Sequence, residues 1–205
     1  FSFHAVKNLG IGDGGMLATN DEEVYERAKR LRWMGVDSST FERTASGKYK
    51  WNYRVEELGY KYHMNDISAI IASKQIECLD DQNFARRCRA EDYKNMLSDL
   101  WASRGDIQII NREIPDGCLS AHHLFVIRVK NGSRDELHTH LASKGITTGV
   151  HYYPNHRYNI FGDAQPIPTA DEAFDEILSL PMYWQMTEQE QTYVCKTIKS
   201  YFDNL

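Results

Sequence analysis

Four glycines fall within six residues, Gly10, Gly12, Gly14 and Gly15, directly after the segment Phe1–Lys7. No helix or strand accommodates that density. The chain must turn there, through positive φ or through close approach of backbone to something else. Phe1-Ser2-Phe3-His4 before the turn reads as a strand already under way, and Met16-Leu17-Ala18-Thr19 after it as a short return strand. Lys7 then stands at a strand end just ahead of the turn. Burial would oppose its charge and favour the neutral amine that attacks an aldehyde. The plainer reading is a solvated cation. Ser2, five residues earlier, offers a hydroxyl to an anion.

Downstream, Asn20 with Glu23 reads as a capping box. Val24, Ala28, Leu31 and Met34 follow at helical spacing as an expected buried face, and Gly35 is a natural stop. Residues 36–63 lack regular patterning but hold Trp51, Tyr53, Tyr60 and Tyr62. A long loop of this kind is commonly functional. From Asn65 or Asp66 to about Leu100 the pattern is one long helix or two abutting ones. Its expected apolar positions are Ile67, Ile70, Ile71, Leu79, Phe84, Cys88 and Leu97, with Arg86, Arg87 and Arg89 on a solvated face. Beyond it, His123–Val129 reads as a strand and Ser133 with Glu136 caps a helix ending at Gly145. Thr147–Tyr153 reads as a second strand. Thr169 with Glu172 caps a helix closed by Pro181, and Thr187 with Glu190 caps the last helix. The expected class is α/β, a small layered unit beyond a long helix.

Composition narrows the function classes. The chain has 205 residues, 41% of them apolar and 26% charged, which is globular usage. Acidic residues number 29 and basic residues 24, a net charge of −5, so no basic field favours nucleic acid or an anionic membrane. No run of about 20 apolar residues is present to span a bilayer, and no signal-peptide pattern opens the chain. Cys78, Cys88, Cys118 and Cys195 lack metal-ligand spacing and read as reduced thiols of a cytoplasmic protein. His151 and His156 are five apart, the wrong spacing for two ligands on one helix face, so no metal site is expected. His122 and His123 read as structural, and His138 and His140 as exposed helix residues.

Ser2-Phe3-His4 with Lys7-Asn8-Leu9, then Gly12-Asp13-Gly14-Gly15-Met16, closely resembles the nucleotide-sugar aminotransferases of the DegT/DnrJ/EryC1/StrS group. These are fold-type I enzymes that depend on pyridoxal 5′-phosphate (PLP). The resemblance continues through Glu57-Leu58-Gly59-Tyr60-Lys61-Tyr62-His63-Met64-Asn65-Asp66-Ile67 and through Lys144-Gly145-Ile146-Thr147-Thr148-Gly149-Val150-His151-Tyr152-Tyr153-Pro154-Asn155-His156. It ends at Ile177-Leu178-Ser179-Leu180-Pro181, so it covers nearly the whole chain in order.

The resemblance implies that Lys7 is the Schiff-base lysine and later the general acid/base, and that Ser2 bonds the cofactor phosphate. Relatives with His at the lysine position are dehydratases; Lys7 favours transamination. Many members carry Asn where this chain has Lys61, and that Asn reaches the phosphate in the neighbouring subunit. Lys61 takes that role as a point charge or is simply solvated. His151, Tyr152 and His156 are implied near the sugar nucleotide, with packing of Tyr152 on the sheet as the alternative.

By the same resemblance, residues 1–64 are the C-terminal part of a large PLP-binding domain. Residues 65–100 are a linking helix and 101–205 a small α/β domain. The expected activity is transfer of an amino group, typically from glutamate, to a nucleotide-linked keto-deoxysugar, by a homodimer with shared sites. The family's phosphate-binding helix start, stacking aromatic and pyridine-pairing Asp all precede the lysine, and no segment here resembles them. With Phe1 in place of Met, the chain is expected to be the C-terminal half of a longer enzyme. A non-catalytic binding module and a PLP-dependent sugar dehydratase are the alternatives.

Overall fold

A computed structural model describes residues 1–37, 53–110, 114–162 and 165–205. Trp51 and the middle of the long irregular segment lie outside the described residues. The chain forms two compact units, Phe1–Cys78 and Leu79–Leu205, and the class is α/β as expected.

The first unit carries helices α1 (Glu22–Leu31) and α2 (Asp66–Ile76). The two strands expected around the glycine turn do not form. The pairing is a single antiparallel bridge between Ser2 and Gly15, flanked by Phe1 and Met16, which exchange both backbone hydrogen bonds. The reason is the curl of the turn. Phe3 donates its N–H to the Gly14 carbonyl at 2.9 Å yet accepts from the Ile11 N–H at 2.9 Å, so no regular ladder can extend. The α2 side chain of Gln75 pins that turn, its Oε1 accepting from the Gly10 N–H at 3.1 Å and its Nε2 donating to the Gly10 carbonyl at 2.6 Å.

Helix α1 starts one residue later than expected. Asp21, not Asn20, is the cap, and its carboxylate accepts from the N–H groups of Glu23 and Val24. A carboxylate serves two orphan donors and the positive helix end at once. The expected apolar face of α1 is not buried: Val24 and Met34 are exposed. Helical spacing identifies a face that can be covered, not what covers it. The same holds for α2, capped by Asn65 as expected, where Ile67, Ile70 and Ile71 are exposed and only Ala72 is buried.

The helical stretch is in two pieces. After Glu77 and Cys78, α3 runs Leu79–Met96, and a π-helical turn follows at Asp99–Arg104. In the second unit, β1 (Ile107–Ile109), β2 (Phe125–Val129) and β3 (Ile177–Leu180) form an antiparallel sheet in that order. Ile127 pairs with Ile109 on one side and Leu178 on the other. Helices α4 (Arg134–Ser143), α5 (Pro168–Glu176) and α6 (Glu188–Asp203) complete the layer. The core is Tyr93, Leu97 and Leu100 with Ile127, Leu137, Leu141, Leu178 and Ile198.

Several expectations are corrected here. Phe84 and Cys88 are exposed, and Tyr93 and Ala90 supply the buried face of α3 instead. Arg86 is not solvated. It is buried, its guanidinium donates to the Met182 carbonyl at 2.9 Å, and burial pulls its pKa down. Its long aliphatic stem makes that placement tolerable. Thr147–Tyr153 forms no strand, only a bridge from Gly149 to Ser179, because β3 is the third strand. Ser133 makes no capping hydrogen bond, since its ψ of 4° departs from the extended geometry a cap needs. Thr169 does not cap α5, which starts at Pro168 and turns into β3 at Ile177, before Pro181. The Thr187–Glu190 capping box is present in full.

None of the four cysteines is in a disulfide, and Cys195 alone is buried. Burial pushes its thiol up to about 12. Iodoacetamide at about pH 8 should therefore modify Cys78, Cys88 and Cys118 and spare Cys195, since only the thiolate attacks. Peptide mapping reads the outcome; early labelling of Cys195 in the folded protein would contradict this packing. Among the described residues no helix is long and apolar enough to cross a membrane.

Candidate functional site

The candidate residues fall in both units. In the first, Lys7 sits in the turn itself rather than at a strand end, half-buried, with its N–H donating to the His4 carbonyl at 2.8 Å. Among the described residues its amine makes no hydrogen bond or ion pair. Backbone crosses backbone tightly on both sides of it. A Cβ at Gly10 would lie 2.4 Å from the Ala5 carbonyl oxygen, and one at Gly15 2.7 Å from that of Phe1. Ser2, opposite Gly15, is exposed, and its Oγ accepts from the His4 N–H at 3.4 Å.

Gly14 and Gly15 line a cavity of about 470 Å³ together with Asp13, Lys61, Asn65 and Ser68. Lys7 does not line it. Asn65 caps α2, so the cavity holds a helix N-terminus beside a cation, a combination that suits an anion. The Lys61 backbone bridges to Trp33, and its Nζ lies 4.1 Å from the centroid of the Trp33 ring. Sequence reasoning missed Trp33; an aromatic just after a helix end carries no signal of which lysine it will meet.

In the second unit, His151 Nδ1 lies 2.8 Å from Ser179 Oγ on β3. Gly149 and Ser179 exchange both backbone hydrogen bonds, and a Cβ at Gly149 would meet the His151 ring at 2.8 Å. Tyr152 stands edge-on to His151 and is 70% exposed, so packing on the sheet does not hold it. His156 Nε2 lies 2.9 Å from Asp171 on α5, whose same oxygen lies 2.6 Å from Arg157 Nε. His151 and Tyr152 are thus together, while His156 is turned to a different partner. Asp171 and Ser179 were not legible as site residues, since both act through contacts between segments distant in sequence.

PLP needs a primary amine free to condense with its aldehyde and polar groups for its phosphate. By chemical type Lys7 would supply the first and Ser2 and Lys61 the second; of the three, Lys61 alone lines the cavity.

Residues 1–199 match the model of the DegT/DnrJ/EryC1/StrS aminotransferase family, and the chain belongs to that family. It is similar to a dTDP-4-dehydro-2,3,6-trideoxy-D-glucose 4-aminotransferase of Saccharopolyspora spinosa, 31% identical over 93% of this chain and 48% of the relative. A Geobacillus stearothermophilus relative described as a pleiotropic regulatory protein is 33% identical over 98% of this chain and 51% of its own length. The crystal structure of an aminotransferase, TlmJ, from Streptoalloteichus hindustanus superposes with a TM-score of 0.86 at 28% identity. That match covers 99% of this chain and 51% of that one. The chain therefore spans about half the length of the curated relatives it matches.

Proposed function

We propose that the chain is part of a PLP-dependent aminotransferase of the cytoplasm. It transfers an amino group, with glutamate as donor, to a nucleotide-linked keto-deoxysugar, in amino-sugar and surface-polysaccharide synthesis. The observation that carries this reading is Lys7, a half-buried amine without a partner among the described residues, in a chain of an aminotransferase family.

PLP, when bound, supplies an electrophilic aldehyde and an electron sink. With PLP bound, Lys7 Nζ would be the amine that holds it and the general acid/base that carries the proton. The Gln75 clamp on Gly10 holds the turn that orients it. Ser2 Oγ donates to the phosphate. Lys61 would offer a point charge to the phosphate bound in a neighbouring subunit, which accords with Lys7 not lining the cavity that Lys61 lines. His151, oriented by Ser179, and the exposed ring of Tyr152 meet the sugar nucleotide. His156 fixes the same loop through Asp171. The exposed isoleucines of α2 support a homodimer that covers them.

Borohydride reduction of the intact protein with PLP, followed by peptide mass analysis, tests this. A pyridoxyl group on the Lys7 peptide is expected. No adduct on folded protein would remove the aminotransferase reading. It would favour a non-catalytic binding module, the reading that the regulatory description of the Geobacillus stearothermophilus relative supports. An adduct without turnover of glutamate would favour the dehydratase.

A further inference from the structure

Lys61 is exposed, and a solvated lysine samples many rotamers. Here its choice is narrowed from three directions. Its backbone is paired across to the end of α1: the Met34 N–H donates to the Tyr60 carbonyl at 2.9 Å and the Tyr62 N–H to the Arg32 carbonyl at 2.9 Å. That pairing sets Trp33 directly opposite Lys61. The ammonium then rests over the indole face, 4.1 Å from its centroid, where the ring quadrupole attracts it. The indole is itself fixed, with the His63 ring edge-on at 4.4 Å.

We infer that Trp33 is a positioning residue. It holds the Lys61 ammonium over its ring, beside the cavity that Lys61 lines with Gly14, Gly15, Asn65 and Ser68, from where the ammonium would meet a phosphate monoester. This deepens the proposed function and rests on Lys61 being the cofactor-phosphate ligand. The face of the indole keeps the charge on Lys61, because a cation–π partner neutralises nothing, whereas a carboxylate partner would. Asp13 is the acidic residue of the lining, and no ion pair joins it to Lys61 among the described residues. Trp33 thus restrains the lysine without cancelling the charge an anion needs.

The test compares two probes on the intact protein, PLP and pyridoxal, which differ only in the phosphate. Kd is measured for each by titration of the bound-cofactor absorbance. Trp33→Leu is expected to weaken PLP about fivefold, the scale of a cation–π contact, and to leave pyridoxal unchanged. Trp33→Phe should recover most of the loss. In a Lys61→Gln background, Trp33→Leu should add nothing, because the two act as one unit. Equal weakening of PLP and pyridoxal would show a merely structural Trp33 and overturn the inference, as would unchanged PLP binding. If Trp33→Leu does not fold, Trp33→Phe and Lys61→Gln carry the comparison. A Lys61→Gln protein with unaltered PLP affinity then overturns it. Failure of the proposed function is distinct: unaltered protein would give no Lys7 adduct at all.

Discussion

Lys7→Ala in the intact enzyme is expected to lower transamination by about 10²–10⁴-fold, the range for losing a positioned general acid/base. Loss of the covalent attachment point adds to that. Lys7 is half-buried in a turn held by Gln75, and among the described residues no carboxylate pairs with it. Lysines on protein surfaces commonly spend their charge on a nearby acid, as Lys94 does with Glu91 and Lys199 with Asp99. Lys7 does not, so among the described residues no acid competes for its amine.

Two controls separate chemistry from folding. Lys7→Arg keeps a cation in the turn but cannot condense with an aldehyde at neutral pH, and should be as inactive as the alanine variant. Gln75→Ala removes the clamp on Gly10 and leaves the amine, so it should lower the rate less than either. Glutamate-dependent turnover measures all three, and circular dichroism checks the fold. Full activity in Lys7→Arg would exclude covalent attachment at this residue.

How much of this was legible in the sequence depended on the range of the interaction. The Thr187–Glu190 box forms as read because both partners lie within one turn of helix. Asn65 caps α2 for the same reason. The strand expected at His123–Val129 forms at Phe125–Val129, starting two residues later, whereas β1, only three residues long, gave no pattern. Errors collected where a distant segment decides the outcome. Arg86 looked solvated because nothing local reveals that the Met182 carbonyl, 96 residues away, will accept from it.

The site follows the same rule. Lys7 and Ser2 were picked out by the glycine turn and the motif around it. Lys61 was found only through resemblance, and its Trp33 partner not at all, because that contact exists only once the chain has folded back on α1. The faces expected from spacing on α1 and α2 are not buried, with Val24, Ile67 and Ile70 exposed, because periodicity says which residues share a face and not what covers it.

The second large effect is expected at the contact of Gly35 with Gly59, which holds the Lys61 segment against α1. Gly35 has φ of +74°, and a Cβ there would lie 1.8 Å from the Glu57 carbonyl oxygen. A Cβ on Gly59 would lie 2.0 Å from the Gly35 nitrogen. Both obstacles are backbone and cannot swing aside. Glu57 is also tied down, its carboxylate 3.1 Å from Arg27 and 3.6 Å from Arg30.

Gly35→Ala therefore combines left-handed strain with overlap, and should destabilise the first unit by about 3–5 kcal/mol. Gly59→Ala carries the overlap without the positive φ and should cost about 1–3 kcal/mol. Gly105 supplies the control, because its φ is +73° yet nothing lies within 4 Å of its Cβ position. Gly105→Ala should cost only the strain, about 1–2 kcal/mol.

Hydrogen exchange at the Tyr60 and Tyr62 amides reads the local effect, since these donate to Leu31 and Arg32 across the contact. Both should exchange faster in Gly35→Ala and Gly59→Ala and be unmoved in Gly105→Ala. The PLP-over-pyridoxal preference should fall with them, because Lys61 lies between those two amides. Retained protection at Tyr60 and Tyr62 in Gly35→Ala would mean that the close glycine contact does not hold the lysine in place.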